Sequence, residues 1–106
     1  MIRHIVLWRL KDEAQGRSRE ENAREIKKQL EALNGRVPGL IRIDVGLDES
    51  KTPDSADIAL YSEFDTPAAL AAYQVHPDHV AFKGFMQSVR LERVVVDYVA
   101  PCDDPR

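Results

Sequence analysis

The stretch Tyr73-Gln74-Val75-His76-Pro77-Asp78-His79 holds the side chains of this sequence best suited to moving a proton. Two of the three histidines lie in it, with a tyrosine and a proline. Imidazole titrates near neutral pH, so a histidine in a cleft can serve as a general acid or base. His79 stands one helical turn before Phe82 and two before Met86, and should face inward with them. A buried imidazole needs a hydrogen-bond partner, and Asp97 or Tyr73 could supply one. The competing reading is a structural histidine that ties helix to sheet, because buried titratable groups are often only structural. His76 precedes a proline at a helix start and reads as a cap or a surface residue. His4 shares a strand face with Val6 and Trp8 and reads as a hydrogen-bonded core histidine.

Other chemistries find little support. The histidines lack the i,i+4 helical pairing of zinc enzymes, so no metal is expected. No phosphate loop, nucleophile elbow or paired-cysteine motif is present. That argues against nucleotide hydrolysis, serine esterase chemistry and dithiol redox, and no cofactor is expected.

The elements that must position these residues follow from hydrophobic periodicity. Residues 2–10 read as a strand with an apolar centre on both faces, hence a central strand. Residues 11–17 read as a loop. Ser18 and Glu21 have capping-box spacing, and Ala23, Ile26, Leu30 and Leu33 continue as an amphipathic helix that Asn34-Gly35 and Pro38 stop. A second strand over 39–47 points Ile41, Ile43 and Val45 one way and Arg42 and Asp44 the other, the pattern of an edge. A turn-rich loop over 48–55 leads to a third strand over 56–64. Thr66-Pro67 starts a short helix over 67–74. Pro77 interrupts it and opens another over 77–89, with Val80, Phe82, Phe85, Met86 and Val89 as its apolar stripe. Residues 91–99 make a valine-rich last strand, and 101–106 a frayed tail.

The order β-α-β-β-α-α-β is a ferredoxin-like α+β pattern, with an antiparallel sheet and helices on one face. One domain over residues 1–100 is expected from a chain of 106 residues. The third strand joins the first at the sheet centre. Ile5, Leu7, Ile58 and Leu60 are assigned to the face that no helix covers, and such a patch marks a partner surface. A second copy packing sheet to sheet is the economical answer, so a homodimer is expected.

Composition limits the partners. Hydrophobic residues make up 43% and charged residues 31%, and the net charge is −3. No basic cluster suggests nucleic acid, and no basic amphipathic helix or long apolar run suggests a membrane. The strand pattern begins within two residues of the N-terminus and leaves no room for a signal peptide. Cys102, the single cysteine, cannot form an internal disulfide, and a cytoplasmic protein is expected.

Several segments together resemble a known family. They are His4-Ile-Val-Leu-Trp-Arg-Leu-Lys in the first strand, Pro38-Gly39 before the second, Tyr73-x-x-His76-Pro77-x-His79-Val80, and Asp97-Tyr98 at the end of the last strand. Over about residues 2–99 the chain resembles the stress-responsive α/β-barrel domain family, the Dabb proteins. The resemblance implies a dimeric α+β barrel. The family is functionally mixed, and one plant member is a polyketide cyclase acting by an intramolecular aldol reaction. By resemblance to that cyclase, His79 matches its acid–base histidine, Tyr73 the partner tyrosine and Asp97 the supporting carboxylate. His4 matches a pocket histidine. Asp57 stands where the cyclase has a second pocket histidine, which is a departure.

Three functional readings follow. The first is a small apolar pocket that binds or converts a small carbonyl, polyketide-like or aromatic compound. There His79 is the acid–base group, supported by Tyr73 and Asp97, and His4, Val6, Trp8, Asp57 and Phe82 line the pocket. The second is a non-enzymatic stress-response or assembly protein. The third, a cofactor-independent monooxygenase, rests on fold analogy alone. A cavity of a few hundred Å3 beside His79 favours the first, and a filled core the second.

Overall fold

Strand β1 (Ile2–Leu10) lies inside the sheet, hydrogen-bonded along both edges. The computed structural model describes residues 1–101. Residues 102–106, which hold Cys102 and nearly all of the expected tail, lie outside the described residues. After β1 come β2 (Glu13–Ala14), β3 (Arg17–Ser18), α1 (Arg19–Glu31), β4 (Leu40–Leu47) and β5 (Ile58–Phe64). The described chain closes with α2 (Pro67–Val75), α3 (Pro77–Val89) and β6 (Arg90–Val99). The main sheet is antiparallel in the order β4-β5-β1-β6, so β1 and β5 are central, as their patterns require. It is an open sheet, and no barrel closes among the described residues of one chain.

The register corrects the expected uncovered face. Val6 lies opposite Leu60 and Trp8 opposite Ile58, and all four are buried under the helices. Side chains alternate with period two, so the β5 residues that share a face with Ile5 and Leu7 are Tyr61 and Ala59. Val94, Val96 and Tyr98 of β6 complete that open face, opposite Leu7, Ile5 and Arg3. Ile58 and Leu60 therefore belong to the core and not to a partner surface.

Three smaller differences have local causes. The expected 11–17 loop contains the β2–β3 hairpin, turned by Gln15 and Gly16 with φ of 55° and 73°. Those left-handed angles suit a tight hairpin, but glutamine is a poor turn signal. Ile41 is exposed, because an irregularity between Leu40 and Arg42 puts Leu40 inward in its place. Val80 is exposed and falls off the α3 stripe.

Capping sets the helix starts. Ser18 and Glu21 form both bonds of the capping box on α1. Thr66 Oγ1 accepts from the Ala69 N–H at the start of α2. His76 Nδ1 accepts from the Asp78 N–H at the start of α3, so His76 is a cap. Gly39, with φ of 81°, takes a left-handed turn where a Cβ would stand 2.5 Å from that of Ala69, which lets α2 close onto β4.

The two sheet edges differ. On β4, Asn34 bonds both the N–H and the carbonyl of Ile43. Beyond it, Val45 donates to Glu31 and accepts from Lys27. Side chains of α1 and its C-terminal turn thus satisfy this edge. On β6, Leu91, Val94, Val96 and Val99 are each more than half exposed.

Candidate site between the central strand and the last helix

Proline at 77 ends α2 and starts α3, and the bend lays Tyr73 against His79. Their ring centroids are 4.1 Å apart with planes 38° from parallel. His79 is 9% exposed, and its Nδ1 has no hydrogen-bond partner among the described residues. Burial pushes its pKa down to about 4, and the positive charges of Lys83 and Arg93 and the nearby His4 and His76 push the same way. His79 is therefore a neutral imidazole at pH 7. Tyr73 is fully buried, its hydroxyl also lacks a described partner, and burial pushes it well above the ordinary phenol range.

Asp97 does not pair with His79. The β1–β6 register sets Asp97 directly opposite His4, and the His4 Nδ1 is hydrogen-bonded to the Asp97 carboxylate. A carboxylate on Nδ1 fixes the tautomer of a neutral ring, leaving Nε2 as an acceptor. The arrangement expected of His79 thus belongs to His4. The expectation failed because partner choice depends on strand register, which the sequence alone did not fix for β6.

A cavity of about 300 Å3 opens between β1 and α3. Its apolar wall is Val6, Trp8, Leu60, Phe82 and Met86, and His4 and His79 line it together. Its other wall carries Lys83, Arg90 and Arg93 with two glutamines. Of the residues the sequence singled out, His79, His4, Val6, Trp8 and Phe82 meet here. Tyr73 lies behind His79, outside the lining, and Asp97 reaches the site through His4.

Asp57 is elsewhere. Its carboxylate accepts from the Leu10 N–H at 2.7 Å, and its own N–H donates to the Trp8 carbonyl. It faces a second, salt-bridged cavity of about 450 Å3 beside Arg19. It lies at the entry to β5, next to the far end of β1, and so away from His4.

The cationic wall was missed by sequence reasoning, though its signal existed. Positions 79, 82, 83, 86 and 87 recur at helical steps of three and four, so the stripe that buries Phe82 also turns Lys83 to its flank, and Arg90 follows at the α3–β6 junction. Arg93 shares the β6 face of Asp97 by strand alternation. Among the described residues no cluster of three or more histidine, cysteine or acidic side chains is placed to hold a metal. No helix among them is long and apolar enough to cross a membrane.

Comparison with known proteins agrees on the fold. Residues 2–100 match the family described as Stress responsive A/B Barrel Domain. A dimeric protein of ferredoxin-like fold from Bacteroides fragilis is 33% identical, with a TM-score of 0.80 over 93% of this chain and 95% of that one. A dimeric ferredoxin-like protein from Thermobifida fusca is 27% identical, with a TM-score of 0.80 over 93% and 90%. The hydroxynitrile lyase of Passiflora edulis, 23% identical with a TM-score of 0.76 over 98% and 96%, shares the fold. No curated protein matches the chain at a significant level.

Proposed function

The chain belongs to the stress responsive A/B barrel domain family, and we propose that its cavity takes a small carbonyl compound, aromatic or polyketide-like, and moves a proton on it. The observation that carries this reading is a cavity of about 300 Å3 beside a buried imidazole whose Nδ1 has no described partner. A histidine that only tied helix to sheet would be hydrogen-bonded at that nitrogen. This space is at the lower end of the range typical of small-molecule sites, about 300 to 1,000 Å3.

In the proposed step a C–H bond next to the substrate carbonyl breaks. The proton goes to a ring nitrogen of His79, and the electron pair moves onto the carbonyl oxygen as an enolate. His79 is neutral at pH 7 and so in the form that accepts a proton. Tyr73 acts as a positioning residue, holding the His79 ring by stacking. His4, oriented by Asp97, is a second imidazole in the same cavity.

The test is exchange of substrate α-protons into D2O, followed by NMR over a panel of aryl ketones and 1,3-dicarbonyl compounds. Wild type should exchange at least one of them, and His79→Ala should lower that rate by roughly a hundredfold or more. If no compound exchanges faster with the protein than without it, the reading falls to a structural one.

The proposed working unit is a homodimer. The open sheet face presents Ile5, Leu7, Val94, Val96 and Tyr98, and the 33% and 27% identical structures are described as dimeric. Two copies meeting face to face would close their sheets into an α+β barrel and bury the patch by two-fold symmetry.

A further inference from the structure

We infer that the cavity selects small organic anions, a carboxylate on an apolar or aromatic body, with Lys83, Arg90 and Arg93 holding the charge and Trp8, Phe82 and Met86 the body. This rests on the reading of the cavity as a ligand site and adds the class of ligand.

The charge is local, not background. The whole chain carries a net −3, yet three permanent cations line this cavity and no carboxylate among the described residues does. Neighbouring acids are committed elsewhere. Asp97 is bonded to His4, and Glu92 reaches Arg9 at 3.4 Å on the other face of β6. No carboxylate among the described residues pairs with Arg90 or Arg93. Lys83 spends one N–H on the Gln74 carbonyl at 2.9 Å, which fixes its ammonium at the cavity and leaves two donors free. Guanidinium groups are shaped for two-point contact with a carboxylate, and such charge-assisted bonds are roughly twice as strong as neutral ones.

The other wall decides between a bare ion and an organic one. Val6, Leu60, Phe82 and Met86 offer nothing to inorganic phosphate, and together with Trp8 they would cover a ring or short chain. A bound carboxylate also has a chemical consequence. Lys83 and Arg93 are among the groups that weaken His79 as a base. An anion seated on them offsets that field, so the right ligand makes His79 a stronger proton acceptor when bound.

The test is an amide-resolved NMR titration of the whole protein with phenylacetate, phenylacetamide and inorganic phosphate. Phenylacetate should move the α3 amides between His79 and Met86 and bind about tenfold or more tighter than phenylacetamide or phosphate. Arg93→Gln, and separately Lys83→Gln, should erode that preference several-fold, lowering phenylacetate affinity more than phenylacetamide affinity, and the dispersion of each variant's amide spectrum reports that it is folded. Equal affinity for acid and amide, or a preference untouched by both variants, overturns the anion inference and leaves the cavity reading standing. Phosphate binding as tightly as phenylacetate overturns the assignment of an organic body. If none of the three perturbs α3, the cavity reading itself fails and the inference goes with it.

Discussion

His4 holds the carboxylate of Asp97 through its Nδ1, and this bond gives the two imidazoles of the cavity different characters. His4 is oriented and backed by a negative charge. His79, which has no such partner among the described residues, is kept neutral first by burial and then by the positive charges near it.

Asp97→Leu should therefore act on His4. It leaves a histidine with a 3% exposed side chain holding an unpaired ring N–H, a loss of about 1–3 kcal/mol. Asp97→Asn keeps an oxygen to accept from Nδ1 and should lose less. Chemical denaturation of the two variants measures the difference. If His79→Gln abolishes the gap between them, Asp97 serves His79 after all.

Stability should fall on acidification through His79. Unfolded, its imidazole takes up a proton near pH 6.5, while in the fold it does so only near pH 4. Between those values the unfolded state binds more protons, so lowering the pH favours unfolding. The loss begins as pH falls through the unfolded value and is complete near the folded one, at roughly 3 kcal/mol. Carboxylates titrate in part of the same window, so the comparison is with His79→Gln. The variant should lose less stability between pH 7 and pH 4, and parallel curves would show that His79 is ordinary.

Tyr73 offers a separation of folding from chemistry. Its ring packs on Phe64 at 5.0 Å and His79 at 4.1 Å, while its hydroxyl bonds nothing described. Tyr73→Ala should cost about 3–5 kcal/mol, as large aromatic deletions do. Tyr73→Phe should cost little or even stabilise, since no described hydrogen bond is lost. Thermal melts of both variants check this. An unstable Tyr73→Phe would mean that the hydroxyl has a partner.

How much of this was legible follows from what each signal depends on. Ser18 with Glu21, Thr66 with Pro67 and His76 with Pro77 are local chemistry, and each starts its helix where the sequence says. The central place of β1 was readable from its two apolar faces. The faces of Ile58 and Leu60 were not, because they depend on which residue of β1 each meets. The partner of Asp97 was hidden for the same reason. The irregularity at Leu40 and Arg42 has no sequence signal that we recognise, and it alone reverses Ile41. Periodicity could have put Lys83 beside the Phe82 stripe and Arg93 on the Asp97 face, but only the fold brings them and Arg90 together as one wall.

The sealed edge of β4 gives a prediction about Asn34. Its amide satisfies both backbone groups of Ile43, at 2.7 and 3.0 Å. An edge strand with free donors and acceptors invites pairing with another chain. Asn34→Ala should cost about 1–2 kcal/mol and raise the tendency to aggregate. Denaturant midpoints and light scattering would show both, and an unchanged midpoint would mean that water replaces the amide at no cost.

The open sheet face and the core predict opposite outcomes for the same kind of change. Leu7 is 40% exposed and lies opposite Val94 on the uncovered side, whereas Ile58 is 1% exposed and lies opposite Trp8 under the helices. A charge at Leu7 meets water in the monomer but apolar surface in a sheet-to-sheet dimer. Leu7→Asp should therefore leave the circular dichroism of the fold intact and split the dimer, seen as a halved mass in light scattering at micromolar concentration. The same charge at Ile58 is buried in either state, and an unpaired buried carboxylate costs more than a small domain can spare. Ile58→Asp should fail to fold at any concentration. A wild-type protein that is already monomeric at micromolar concentration, or a Leu7→Asp variant that keeps the wild-type mass, would show that the copies do not meet through this face.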